Sequence, residues 1–218
     1  MIWDLVGGSK EDLEILEMGA QVAKKNPNIK DDGRRIFYDL HTMAIPSFSG
    51  DSLEKLTNLF IEALCDDIDK RFPPNTASSY EWETLDLCEY VKETWTHASI
   101  TSLFGPHICS IWPDIADWLW DFDRHFQSII TKMPRFMAPR AYALRDQGQK
   151  MCELWEKEAL KAEDDGKIEG DPAWDPYWGQ RFVRLRVKYL IENGISTRGR
   201  AGNMMAFLWG VSALHETL

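Results

Sequence analysis

What this chain lacks narrows its class before anything it contains. No stretch approaches the roughly 20 consecutive apolar residues that cross a bilayer, and the start, Met1-Ile-Trp-Asp-Leu-Val-Gly-Gly, has neither the basic flank nor the apolar centre of a secretory signal. Cysteine is sparse: Cys65, Cys88, Cys109 and Cys152 lie on separate segments with no C-x-x-C spacing, which signals neither a zinc site nor a dithiol redox motif and leaves reduced thiols as the expectation. The five histidines form no pair four residues apart and no H-E-x-x-H, so they are read as packed or solvated. A phosphate-cradling glycine loop and repeated strand patterns are both missing. Basic charge is in deficit, 25 Lys and Arg against 35 Asp and Glu for a net charge of −10, which argues against nucleic acid or an anionic membrane surface as the main partner.

What remains is apolar, aromatic and helix-patterned. With 44% hydrophobic residues over 218 positions the chain can bury a core, and ten tryptophans, each wanting a partner for its indole N–H, point to a helical interior with shaped pockets. The expected class is all-α, a single unit with helices near 52–71, 84–104, 113–132, 139–162, 177–193 and 201–214 and flexible loops at 24–34, 73–83 and 163–176. Ser9-Lys-Glu-Asp12 and Asp51-Ser-Leu-Glu54 both have capping-box form. The second opens a helix with Leu53, Leu56, Phe60, Leu64 and Ile68 on one face.

Leu87, Cys88, Val91, Trp95, Ala98 and Ser102 recur at three- and four-residue steps and predict the apolar side of the next helix, which Gly105 and Pro106 stop. Pro113 suits the first turn of a helix whose Trp118, Leu119, Phe122, Phe126, Ile129 and Ile130 make a wide aromatic face until Pro134. Arg181, Arg184, Arg186 and Lys188 read as an exposed cationic face, and the final segment, Ala201 to Leu214, is apolar on most sides.

The order Leu103-Phe104-Gly105, Phe122-Asp123, Met133-Pro134, then Arg140-Ala141 and Arg145 resembles the middle of the cytochrome P-450 superfamily. The likeness is to the class holding sterol 7-alpha-hydroxylases, prostacyclin synthase and many fungal relatives. A Gly202-Asn-Met-Met-Ala-Phe-Leu-Trp-Gly210 run is similar to the start of that family's long central helix, and the resemblance covers roughly residues 2 to 214. It implies a haem-thiolate monooxygenase that inserts oxygen into a lipophilic sterol-like, fatty or secondary-metabolite substrate with a reductase as partner. It also implies an intracellular protein whose complete members are anchored to the endoplasmic reticulum; no anchor stands in these residues.

The family's Phe-x-x-Gly-x-x-x-Cys-x-Gly setting surrounds none of the four cysteines, and no Glu is followed three positions later by Arg. The expectation is therefore an amino-side half that holds no haem by itself, with a non-enzymatic helical interaction protein or decayed gene product as the alternative. Ala213-Leu-His-Glu216-Thr217 has the form of the family's acid and alcohol pair, making Glu216 and Thr217 candidate catalytic residues. A register anchored on Trp209 instead requires Asn where Leu214 stands, and a frayed polar terminus is the competing reading. Trp209, Ala213, Phe122 and Phe126 are the candidate substrate-pocket residues; aromatic stripes of this kind are also ordinary core packing. No metal ligands are expected. Asp66-Asp67-Ile-Asp69 resembles the metal-binding acidic motif of terpene cyclases, but Lys70 fills its fifth position and no second cluster follows, so a solvated helix end is the reading.

Overall fold

The computed structural model describes residues 7–17, 36–73 and 84–213, and they are overwhelmingly helical. In chain order the elements are α1 (Lys10–Glu17), α2 (Ile36–Ala44), a 3-10 turn (Ile45–Phe48), α3 (Gly50–Arg71), α4 (Leu87–Phe104), α5 (Pro106–Ile111) and α6 (Ile115–Ile130). They continue with α7 (Pro139–Asp164), β1 (Trp174–Asp175), β2 (Gly179–Gln180), α8 (Arg181–Glu192) and α9 (Thr197–Ala213). The two short strands pair antiparallel, Trp174 opposite Gln180, and are the only sheet among the described residues. The loop expected at 24–34 lies outside the described residues, as does 74–83 within the second.

Helix α9 is the axle. It packs along α7 and also meets α4, α6 and α8, while α3 and α4 pair beside it. Its Ala201, Met204, Met205 and Leu208 are buried to 1% exposure or less. The small residues of the segment let its neighbours approach closely, so the apolar character on most sides is met by helices on most sides. Phe207 links it to two neighbours, with ring centroids 5.6 Å from Phe104 and 5.5 Å from Phe182.

The Leu103-Phe104-Gly105 signature has a physical cause. Gly105 closes α4 with a φ of 79°, and its amide bonds the Thr101 carbonyl. The β-hairpin backbone lies directly on this corner: a Cβ on Gly105 would stand 2.4 Å from the Pro176 carbonyl oxygen, and one on Gly179 would stand 2.2 Å from that of Leu103. The Trp174 indole donates to the Ser102 carbonyl at 3.0 Å and that of Trp155 to the Tyr177 carbonyl at 2.9 Å, which pins the hairpin between α4 and α7.

Several sequence expectations are corrected here. Residues 177–180 belong to the hairpin and α8 begins at Arg181, because Gly179 needs a φ of 70° and Asp175 turns back to accept from the Tyr177 and Trp178 amides. Residues 163 and 164 continue α7, and the segment after it is tied down, with Ile168 buried and Asp171 paired to Arg181 and Arg184. Pro113 precedes its helix, following a short separate α5 that the pattern did not reveal. Helix α3 is capped by Ser49 without a side-chain bond, so Asp51 to Glu54 is no capping box.

The predicted apolar faces of α3 and α4 are also largely outside. Only Leu56 of α3 is buried, and Leu87, Val91 and Trp95 of α4 are exposed. The buried face of α4 runs instead through Thr94, Ala98, Ser99, Ser102, Leu103 and Phe104, with the Thr94 and Ser102 hydroxyls satisfied by carbonyls one turn back. Small polar residues that bond their own helix can sit at a tight contact, which a hydrophobicity pattern does not register.

Candidate functional site

Phe122, Asp123, Met133, Arg140 and Arg145 of the family resemblance lie about the junction of α6 and α7, with Trp209 of α9 against them. Along α6 the rings form a ladder. Trp112 to Trp118 is 4.5 Å between centroids, Trp118 stacks on Phe122 at 5.1 Å, and Phe122 meets Phe126 at 5.4 Å. The ladder ends on α9, where Phe126 lies 3.9 Å from Trp209. The steps from Trp118 to Phe122 and Phe126 follow from the spacing of the sequence, since residues four apart on a helix stand one above the other. The Trp209 indole N–H donates to Asp123 at 2.8 Å, giving the Phe-Asp pair a role: the ring packs and the next carboxylate orients the partner indole.

The same corner is braced by α7. Arg140 reaches Asp121, donating from Nε at 3.1 Å. Tyr142 donates to the Met133 carbonyl at 2.8 Å and takes the Arg145 guanidinium over its ring at 4.8 Å, and the Trp118 indole donates to the Leu144 carbonyl at 2.9 Å. Arg145 in turn pairs with Asp146, whose carboxyl burial pushes up but the bonds from Arg145 and Arg135 bring below the usual range.

Of the candidate pocket residues, Phe122, Phe126 and Trp209 are thus brought together, with Phe122 and Phe126 inside the core and Trp209 partly covered. Ala213 is the last residue of α9, and Glu216 and Thr217 lie outside the described residues. The apolar face of α9 is covered: Met204 and Leu208 are each 1% exposed, and Phe207 and Trp209 pack against the core.

The cationic face expected on α8 is likewise only half present. Arg184 is buried, bonding Asp171 and the Pro172 carbonyl, with Asp175 3.6 Å away. Arg186 is buried too, donating to Asn203 at 2.7 Å and the Leu40 carbonyl at 3.2 Å, with the Phe207 ring beneath it at 5.3 Å. Burial without a counter-charge pushes its guanidinium down to about 10. These partners come from a distant loop and a distant helix, so the i, i+3 pattern alone could not reveal them.

A haem thiolate does not fit the cysteines. Cys65 and Cys88 are exposed. Burial pushes Cys109, bonded to Thr101, up to about 11 and Cys152 up to about 12, the reverse of what a thiolate ligand requires. Among the described residues no group of three or more His, Cys, Asp and Glu side chains is placed to hold a metal ion, and no helix is long and apolar enough to cross a membrane. Asp67 of the acidic run instead binds His97 at 2.5 Å and Lys70 at 3.5 Å.

No family model matches the chain, and no solved structure matches it. It is similar to the cytochrome P450 monooxygenase fsoE of Humicola fuscoatra, 31% identical over 136 residues, which is 62% of this chain and 24% of that protein. It is also similar to efuG of Hormonema carpetanum, 27% identical over 135 residues, 61% of this chain and 24% of that protein. Similarity to calL of Penicillium decumbens is 22% over 212 residues, 95% of this chain and 38% of that protein. The matches therefore span between about a quarter and two fifths of those relatives. The chain is thus similar to part of the cytochrome P450 monooxygenases of three fungi.

Proposed function

We propose that these 218 residues are the amino-side helical half of a haem-thiolate monooxygenase, of the fungal branch related to sterol 7-alpha-hydroxylases and prostacyclin synthase. Its complete form inserts oxygen into a lipophilic sterol-like or secondary-metabolite substrate with electrons from a reductase. The supporting observation is the ring ladder from Trp112 through α6 to Trp209 of α9, in which Phe122 and Trp209 come from the segments that carry the resemblance, in a chain that aligns over 212 residues with a fungal cytochrome P450 monooxygenase. In this reading Phe122, Phe126, Trp209 and Ala213 belong to the wall of the substrate pocket, and Glu216 and Thr217 are the acid and alcohol pair. The chain alone carries no thiolate-ligated haem and no oxygenase activity, because neither Glu-x-x-Arg nor the haem-Cys setting occurs in it. The encoding locus read past codon 218 tests this. An in-frame Glu-x-x-Arg and Phe-x-x-Gly-x-x-x-Cys-x-Gly supports the reading, and a locus without them contradicts it.

One observation favours a second reading, a non-enzymatic helical protein. The face of α9 that a bisected domain would leave open is closed, with Leu208 and Met204 buried by α9's own neighbours. Separate expression distinguishes the two, since a self-standing domain melts cooperatively as a monodisperse species and a bisected one aggregates.

A further inference from the structure

Away from the ladder, a cleft of about 720 Å³ opens between the 3-10 turn and α3 on one side and the β-hairpin and the start of α8 on the other. This is within the range of small-molecule sites. Trp174, Phe182 and Leu185 make much of its apolar wall. The Trp174 indole N–H is already spent on the Ser102 carbonyl, so its ring offers only an apolar surface.

Two polar groups of the cleft, Gln180 and Lys55, give it its polar end. Gln180 is 7% exposed, yet its carboxamide has no hydrogen-bond partner among the described residues. The carboxamide faces the cleft, where solvent serves its hydrogen-bonding groups and a bound donor or acceptor can take that place. Lys55 lines the rim with no ion pair among the described residues, a local positive charge in a chain of net charge −10. The other cation, Arg181, is committed to Asp171. Glu62 stands two helical turns from Lys55 on α3 and disfavours an anion at that end, which gives the cleft a direction.

We propose that this cleft binds a small apolar carboxylic acid. Its carboxylate pairs with Lys55 and accepts from the Gln180 carboxamide, and its hydrocarbon body lies on Trp174, Phe182 and Leu185. The site is separate from the ring ladder and does not depend on the monooxygenase reading.

Decanoate and decan-1-ol, titrated calorimetrically into the 218-residue chain, test it. Decanoate binding below about 1 mM, at least about tenfold tighter than the alcohol, is the expected result. Lys55→Met, at an exposed position, weakens decanoate about tenfold, and Lys150→Met, an exposed lysine elsewhere, leaves it unchanged. Gln180→Leu weakens it about fivefold while leaving the free protein at least as stable to urea, a combination that a purely structural glutamine would not give. Absence of decanoate binding up to about 1 mM, equal binding of the alcohol, or indifference to Lys55→Met overturns the proposal.

Discussion

Asp12 shows how much one side chain can join. Its amide donates to the Ser9 hydroxyl oxygen at 3.0 Å, and its carboxylate accepts from the Ser9 amide at 3.1 Å in return. The same carboxylate then accepts the Ser196 amide at 2.7 Å and hydroxyl at 2.6 Å, tying α1 to the entry of α9. Burial pushes this carboxyl up, but the Ser196 and Ser9 bonds outweigh it and hold it below the usual range. A depressed folded value means stability that is present above the unfolded carboxylate pKa of about 3.9 and lost as pH falls through the lowered one. Asp12→Asn is therefore expected to cost about 1–3 kcal/mol at pH 7. Urea melts at several pH values should show that deficit shrinking in acid, and a deficit independent of pH would contradict the assignment. The capping box was legible in four consecutive residues; the bond to Ser196, 184 positions away, was not, because no local pattern encodes it.

At the scale of elements, the ends of helices carry the sharpest constraints. Gly105 combines a positive φ with a hairpin carbonyl where its side chain would be, so Gly105→Ala should cost about 3 kcal/mol or more, read as a lower urea midpoint at unchanged slope. A loss under 1 kcal/mol, about what ordinary surface changes cost, would mean the hairpin does not lie on that corner. Leu208→Glu tests α9 in the same way. At 1% exposure the carboxylate would be buried without a partner, and a loss of about 4 kcal/mol or failure to fold is expected, whereas an uncovered face would tolerate it.

Helix α6 was legible because its buried stripe, Trp118, Leu119, Phe122, Phe126 and Ile129, is apolar throughout. Helix α4 was misread because its contact face mixes the small residues Thr94, Ala98, Ser99 and Ser102 with Leu103 and Phe104. Helix α8 was misread because two of its arginines meet acceptors that only the tertiary fold supplies.

The whole molecule sets chemistry against architecture. Its sequence is similar to part of fungal cytochrome P450 monooxygenases, and its cysteines do not agree with a haem thiolate: none has the sequence setting, and burial pushes the two that are covered towards the neutral thiol. The sequence alone made both halves of this contrast visible, the first through ordered motifs and the second through a motif search. The closure of α9 against its neighbours was invisible there, since which helices cover it is a property of the assembled fold. The decisive measurement is the absorption spectrum of the purified chain mixed with haem, reduced, and treated with carbon monoxide. The account predicts no Soret band at the position typical of thiolate ligation; such a band, lost on replacement of a single cysteine, would contradict it.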